Sequence, residues 1–150
     1  MQIQNITFEK IELPFSPEPN TASPTVEIIN GKNILLSFMI EGGNDSFGKI
    51  LFKDCVMYRV GDPNDEGFYS FETNPRIRNN SIYSKKNFPD LKFDCFYEVI
   101  GYQISENLLG EKTIILDQDY KEKMGTHYIF FMKDGSFECI ASDFEIQKIK

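Results

Sequence analysis

The chain has 150 residues, 41% of them hydrophobic and 26% charged, with a formal net charge of −7. That is one typical domain, able to bury about 70% of its extended surface without a metal or disulfide staple. The acidity excludes the basic footprint by which a nucleic-acid binder neutralises phosphates, and suits a protein whose partner is basic.

Residues 1–13 lack the basic flank and apolar stretch of a signal peptide. The run 34–40 is interrupted by Ser37 and is too short to span a bilayer. The expectation is therefore a cytoplasmic protein with no membrane contact. Residues 3–13 read as one or two short strands, with Ile6/Phe8 and Ile11/Leu13 at period two. Four prolines between positions 14 and 24 forbid a helix or a central strand and predict an extended surface connection. Residues 26–29 and 33–41 read as a hairpin around Asn30-Gly31, and 41–45 as a second turn. Residues 49–61, KILFKDCVMYRVG, read as one long strand. Its apolar residues fall on both parities, which predicts a bulge or burial on both faces.

Residues 62–95 are the least periodic. A structureless loop of that length is uncommon, so a short strand is expected at 67–72 and another near Ile82. Residues 96–104 read as a strand. Ser105 could cap one helical turn through Leu109, ended by Gly110. A strand over 112–117 and a helical turn over 118–124 follow. The clearest signal is HYIFFMKDGSFECIAS at 127–142, where Asp134-Gly135 divides two apolar runs. A two-residue loop there pairs Met132 with Phe137, Phe130 with Cys139 and Tyr128 with Ala141, all apolar. The other face pairs Lys133 with Ser136, Phe131 with Glu138 and Ile129 with Ile140. A one-residue slip would destroy this sorting. Phe144 and Ile146 continue the last strand. With fourteen Phe and seven Tyr, the whole predicts a single all-β or β-dominated α+β domain over 1–150. Its architecture would be a twisted antiparallel sheet curled into a sandwich or partly open barrel, with one or two short helical turns.

Chemistry is sparsely signalled. Cys55, Cys95 and Cys139 are odd in number and widely spaced, which argues against a disulfide framework or a zinc site and for a reducing cytoplasm. His127 is the one histidine. A general base would need an orienting carboxylate and a nucleophile, and no GxSxG or cysteine-nucleophile signature is present, so it reads as structural or surface. Asp62, Asn64, Glu66 and Gly67 open like a calcium loop, but Thr73 stands where the bidentate Glu belongs, so the segment reads as an acidic turn. Asp117, Asp119 and Glu122, and again Asp143 and Glu145, read as solvated charge. No catalytic residue, cofactor or metal is expected.

The irregular middle interleaves Arg76, Arg78, Lys85, Lys86 and Lys92 with Phe68, Tyr69, Phe71, Tyr83, Phe88 and Phe93. Such a pattern serves a single-strand nucleic-acid platform, a protein interface, or a loop whose aromatics plug the core while its charges are solvated. The loop is the bland reading. The functional one is a protein interface with Phe68, Tyr69, Arg76, Arg78, Tyr83, Lys85 and Lys86 as its candidate residues.

Residues 96–100 (FYEVI), with 127–131 (HYIFF) and 137–141 (FECIA), resemble a C-terminal pattern of small uncharacterised bacterial β-rich proteins, some thought to be immunity proteins of toxin systems. The resemblance covers about a third of the chain, mostly strand-core positions, and brings no catalytic residues. It implies a fold relative more than an activity; acidity, the lack of a catalytic constellation and the aromatic-and-cationic segment lead to the functional expectation of a non-enzymatic, cytoplasmic protein-binding domain, an immunity-type inhibitor whose partner would be a basic toxin. The alternatives are a small-ligand carrier with aromatics lining a barrel cavity, a hydrolase using His127 with a nearby carboxylate, and a homodimer through an exposed edge strand.

Overall fold

The structure, a computed structural model, describes residues 5–18, 24–41, 47–61, 68–69, 83–101, 112–123, 125–132 and 135–149. Its strands are β1 (Thr7–Ile11), β2 (Thr25–Ile29), β3 (Asn33–Met39), β4 (Phe47–Lys53), β5 (Met57–Gly61), β6 (Phe96–Ile100), β7 (Ile114–Ile115), β8 (Thr126–Phe130), β9 (Ser136–Ala141) and β10 (Asp143–Ile149). They form two antiparallel sheets, one of six strands in the order β1-β6-β8-β9-β5-β7 and one of four in the order β10-β4-β3-β2. The sheets do not close into a barrel, so the fold is the expected β-dominated one in its sandwich-like form.

The β2–β3 hairpin follows the sequence signal. Asn30 (φ 52°) and Gly31 (φ 84°) both take the left-handed conformation that a primed turn requires. Ile29 pairs with Asn33, so the loop holds three residues. Val26, Ile34 and Leu36 then fall on one face and pack inward. The turn expected at 41–45 lies almost wholly outside the described residues, but its flanks β3 and β4 pair antiparallel from Met39↔Phe47 onward.

Residues 49–61 are not one strand. The run breaks between β4 and β5, and the chain passes from the four-stranded sheet to the six-stranded one. Residues 136–149 break at Ser142 and make the same passage between β9 and β10. The two strand pairs are one antiparallel ribbon bent at a corner. Lys53 pairs with Asp143 and Met57 with Ile140, so three residues on one side face two on the other. That extra residue is the expected bulge, and Asp54 adopts φ 50° within it. Ser142 N–H donates to Lys53 C=O at 2.9 Å, and Val56 N–H to Ile140 C=O at 2.9 Å, so the backbone stays bonded through the bend.

The β8–β9 hairpin keeps its predicted faces and changes its register. Phe130 pairs with Phe137, Tyr128 with Cys139 and Thr126 with Ala141, a shift of two residues from the two-residue-loop pairing. A shift of two preserves side-chain parity, so Tyr128, Phe130, Phe137, Cys139 and Ala141 still share a face. The wider loop is fixed elsewhere. Phe131 N–H donates to Cys95 C=O at 3.2 Å, which takes it out of the hairpin ladder.

The six-stranded sheet is covered on both faces. One face meets the four-stranded sheet, where Phe52 stacks among Phe96, Tyr128 and Phe137 with ring centroids 5.1–5.8 Å apart. The other face carries Tyr97, Val99, Ile129 and Phe131 and is roofed by Phe68, Tyr83, Phe88, Leu91 and Phe93. All six residues of the central strand β9 are therefore buried.

The remaining segments correct several expectations. Phe68 and Tyr69, the described part of the strand expected at 67–72, have helical backbone; the strand near Ile82 and the helical turn at 105–109 lie outside the described residues. The strand predicted over 96–104 stops at Ile100, and Gly101 follows with φ 86°. The strand predicted over 112–117 contracts to Ile114–Ile115, and 118–122 are turns. The proline-rich connection is less free than expected. Pro17 bridges Ile40, with Glu18 N–H donating to Met39 C=O at 2.9 Å. Phe15 lies over Gly48 and packs on the core.

Candidate functional site

The chemically richest place in the fold is the roofed face of the six-stranded sheet. Glu138 sits in the middle of β9. Its direct neighbours across the ladder are Arg59 on β5 and Ile129 on β8, and His127 lies diagonally, paired with Ile140. This is the spacing at which same-face side chains meet. Tyr83 comes down from the roof. Glu138 and Tyr83 are almost wholly buried, as is His127, and the Arg59 side chain is 17% exposed.

The Glu138 carboxylate collects all three donors. Arg59 donates to Oε1 at 2.5 Å, and the Tyr83 hydroxyl donates to Oε2 at 2.6 Å. His127 Nε2 stands 2.6 Å from Oε2 and is the donor there, because an ionised carboxylate can only accept. Burial pushes the Glu138 carboxyl up. The imidazole, the guanidinium and the tyrosine hydroxyl outweigh it and hold the group below its usual range. Burying an unpaired carboxylate would be very costly, so the four groups stand or fall together.

His127 therefore does meet a carboxylate, but one that is buried, already bonded to Arg59 and to Tyr83 of the roof, where Tyr83 and Phe68 pack on Phe131 of the sheet (ring centroids 5.8 and 4.9 Å). As arranged, the cluster ties the roof to the sheet. The sequence reading treated His127 as structural and passed over Glu138 and Arg59. With the two-residue-loop register His127 falls opposite Ser142, two pairs from where it meets Glu138, so the pairing error hid the contact. A glutamate inside the run Ser136–Ala141 was the remaining signal.

A second charged cluster corrects the reading of Asp117 as solvated. Asp117 is only 6% exposed. It accepts from Lys123, from Lys32 at 2.7 Å and from Asp119 N–H at 2.9 Å. Those bonds, Lys123 first, hold its carboxyl well below the usual range. The clamp fastens the β2–β3 turn to the 117–123 turns. Asp119, Glu122, Asp143 and Glu145 are exposed, as expected.

The candidate interface residues are divided by the fold. Phe68 and Tyr83 are fully buried and plug the core, so they present no surface to a partner. Tyr69 is half exposed, Lys86 is exposed, and Lys85 is partly buried. Lys85 Nζ donates to the carbonyl of Pro89 and, at 2.7 Å, to that of Leu91, so it holds its own loop. Arg76 and Arg78 lie outside the described residues, as does the acidic turn at 62–67. Beside this loop lies an open groove of about 320 Å³, lined by Phe8, Phe88, Asp90, Leu91 and Tyr97 among others. Between the sheets the described aromatic side chains pack against one another. Among the described residues no helix is long and apolar enough to cross a membrane, and no group of His, Cys, Asp and Glu is arranged to hold a metal. All three cysteines are free thiols.

Comparison with protein-family models, curated proteins and solved structures finds no match. The architecture is thus defined by its own geometry: an all-β, sandwich-like domain of two antiparallel sheets with a buried carboxylate network on its roofed face.

Proposed function

We propose that this is a non-enzymatic, cytoplasmic protein-binding domain, an immunity-type inhibitor of a basic toxin that uses no cofactor. The observation that carries the reading is the burial of Glu138 with three partners on its carboxylate. The one histidine of the chain spends its Nε2 on a buried carboxylate whose oxygens also serve Arg59 and Tyr83. The groups best suited to acid–base chemistry are committed to the interior, and recognition is left to the exterior. That exterior belongs to a chain of net charge −7, and a surplus of one sign accelerates encounter with a partner of the other. The close aromatic packing of the described residues between the sheets favours this reading over a carrier.

The test is capture from the native host with the full chain as bait. One dominant, basic partner is expected, associating more slowly as ionic strength rises. Failure to recover a partner at micromolar concentration refutes the reading.

A further inference from the structure

We propose that the free edge of β1 and the groove beside it take an extended segment of a basic partner, with one lysine or arginine side chain seated in the groove. This rests on the protein-binding reading and names its surface. β1 ends the six-stranded sheet, and among the described residues no strand lies on its other side. Alternate N–H and C=O groups of an edge strand are open to pairing, and strand addition is a recurrent way of binding extended segments.

The groove says what the added strand should carry. Phe8 meets Phe88 edge-to-face at 4.8 Å and Tyr97 at 5.9 Å, and Asp90 is the one charged residue among the lining side chains. Aromatic rings with a carboxylate at the rim suit an ammonium or guanidinium group. The wall is already built. Besides the two Lys85 bonds, Phe88 N–H donates to Ser84 C=O at 2.9 Å and Leu91 N–H to Phe88 C=O at 3.1 Å. Lys92 N–H donates to the Tyr97 hydroxyl at 2.8 Å. A preformed wall spares the ordering cost of binding.

Glu9 sits directly opposite Glu98, and like charges so placed destabilise a sheet. Glu9 and Glu98 face away from Phe8, Val99 and the groove, so they would meet a neighbouring side chain of the added strand and not the one seated in the groove. Lys10 is engaged with Glu12 at 3.6 Å. A second copy of this chain suits the edge poorly, because antiparallel pairing centred on the middle of β1 sets Glu9 against Glu9.

The test is an amide-resolved NMR titration of the ¹⁵N-labelled full chain. The probe is an end-capped hexapeptide of alternating valine and threonine with one central arginine; the control carries glutamine instead. Saturable shifts are expected at Thr7–Ile11 and at 87–91, weakened roughly five- to tenfold by the glutamine peptide and by Asp90→Asn and left unchanged by Glu9→Gln, which lies on the other face. Both substitutions are at exposed positions and leave the fold intact, which the unperturbed part of the spectrum checks. Shifts confined to other regions, indifference to the arginine, or no shift at millimolar peptide would overturn the inference. Concentration-dependent broadening at β1 without peptide would overturn it too, making the occupant a second copy. If a partner is captured but β1 does not respond, the surface is wrong and the protein-binding reading stands. If β1 responds but nothing is captured, the reverse holds.

Discussion

Replacing Glu138 by glutamine keeps the shape of the buried side chain and removes its charge. The carboxylate now accepts from Arg59, Tyr83 and His127. An amide offers one oxygen and turns its NH2 toward groups that themselves donate. Removing one partner of a buried ion pair costs about 3–5 kcal/mol, chiefly because the other charge is stranded. The Arg59 side chain is 17% exposed, so water rescues part of its charge, and the lower end, about 3 kcal/mol, is expected. For a chain of this size each kcal/mol moves Tm by about 2–4 °C, which gives a fall of about 6–12 °C. Urea unfolding should show the midpoint moving at constant m. Tyr83→Phe should cost about 1–2 kcal/mol by removing one charge-assisted bond. The double variant should lose less than the sum, with a coupling of about 0.5–3 kcal/mol. A Glu138→Gln protein within about 0.5 kcal/mol of the parent, or strictly additive losses, would refute the claim that an ionised carboxylate organises this face.

The acid limb of stability follows from the same group. Its folded-state carboxyl lies below the ordinary value, so its contribution is complete above about pH 4.3, the unfolded value, and is lost as pH falls through the lower folded one. Urea midpoints measured downward from pH 5 should fall more steeply for the parent than for Glu138→Gln. Asp117 is depressed as well, by its two lysines. Asp117→Asn should therefore flatten the acid limb further and speed hydrogen exchange at 117–123, whereas unchanged exchange there would show the clamp to be idle. In the core between the sheets, Phe52 is fully buried and packs against four rings. Phe52→Ala should cost about 3–5 kcal/mol in chemical denaturation, and a loss under 1 kcal/mol would mean the aromatic stack collapses around the hole.

Much of the strand content was legible because period-two patterning is local. Residues 127–141 announced which side chains share a face, and they do. They did not announce the register, because a two-residue shift leaves every side chain on its own face. The bond from Phe131 N–H to Cys95 C=O accompanies the observed pairing, and it joins residues too far apart in sequence for local pattern to signal. The mixed parity of 49–61 predicted a bulge, and the bulge is there. That it turns a corner between two sheets depends on the matching break at Ser142, more than eighty residues away. The interface reading of the aromatic-and-basic segment went astray at Phe68 and Tyr83 for a similar reason: a loop side chain is buried or exposed according to what lies beneath it.

By itself the sequence determined a β-rich acidic chain with its hydrophobic faces sorted, since alternation along a strand needs no knowledge of distant residues. Tertiary structure decided that β9 would be covered on both sides. That covering turned Glu138 from a residue of a mixed face into a buried anion that must find Arg59, His127 and Tyr83. Whether a charge is solvated or paired is set by which segments meet over it, and chain order does not encode that meeting locally.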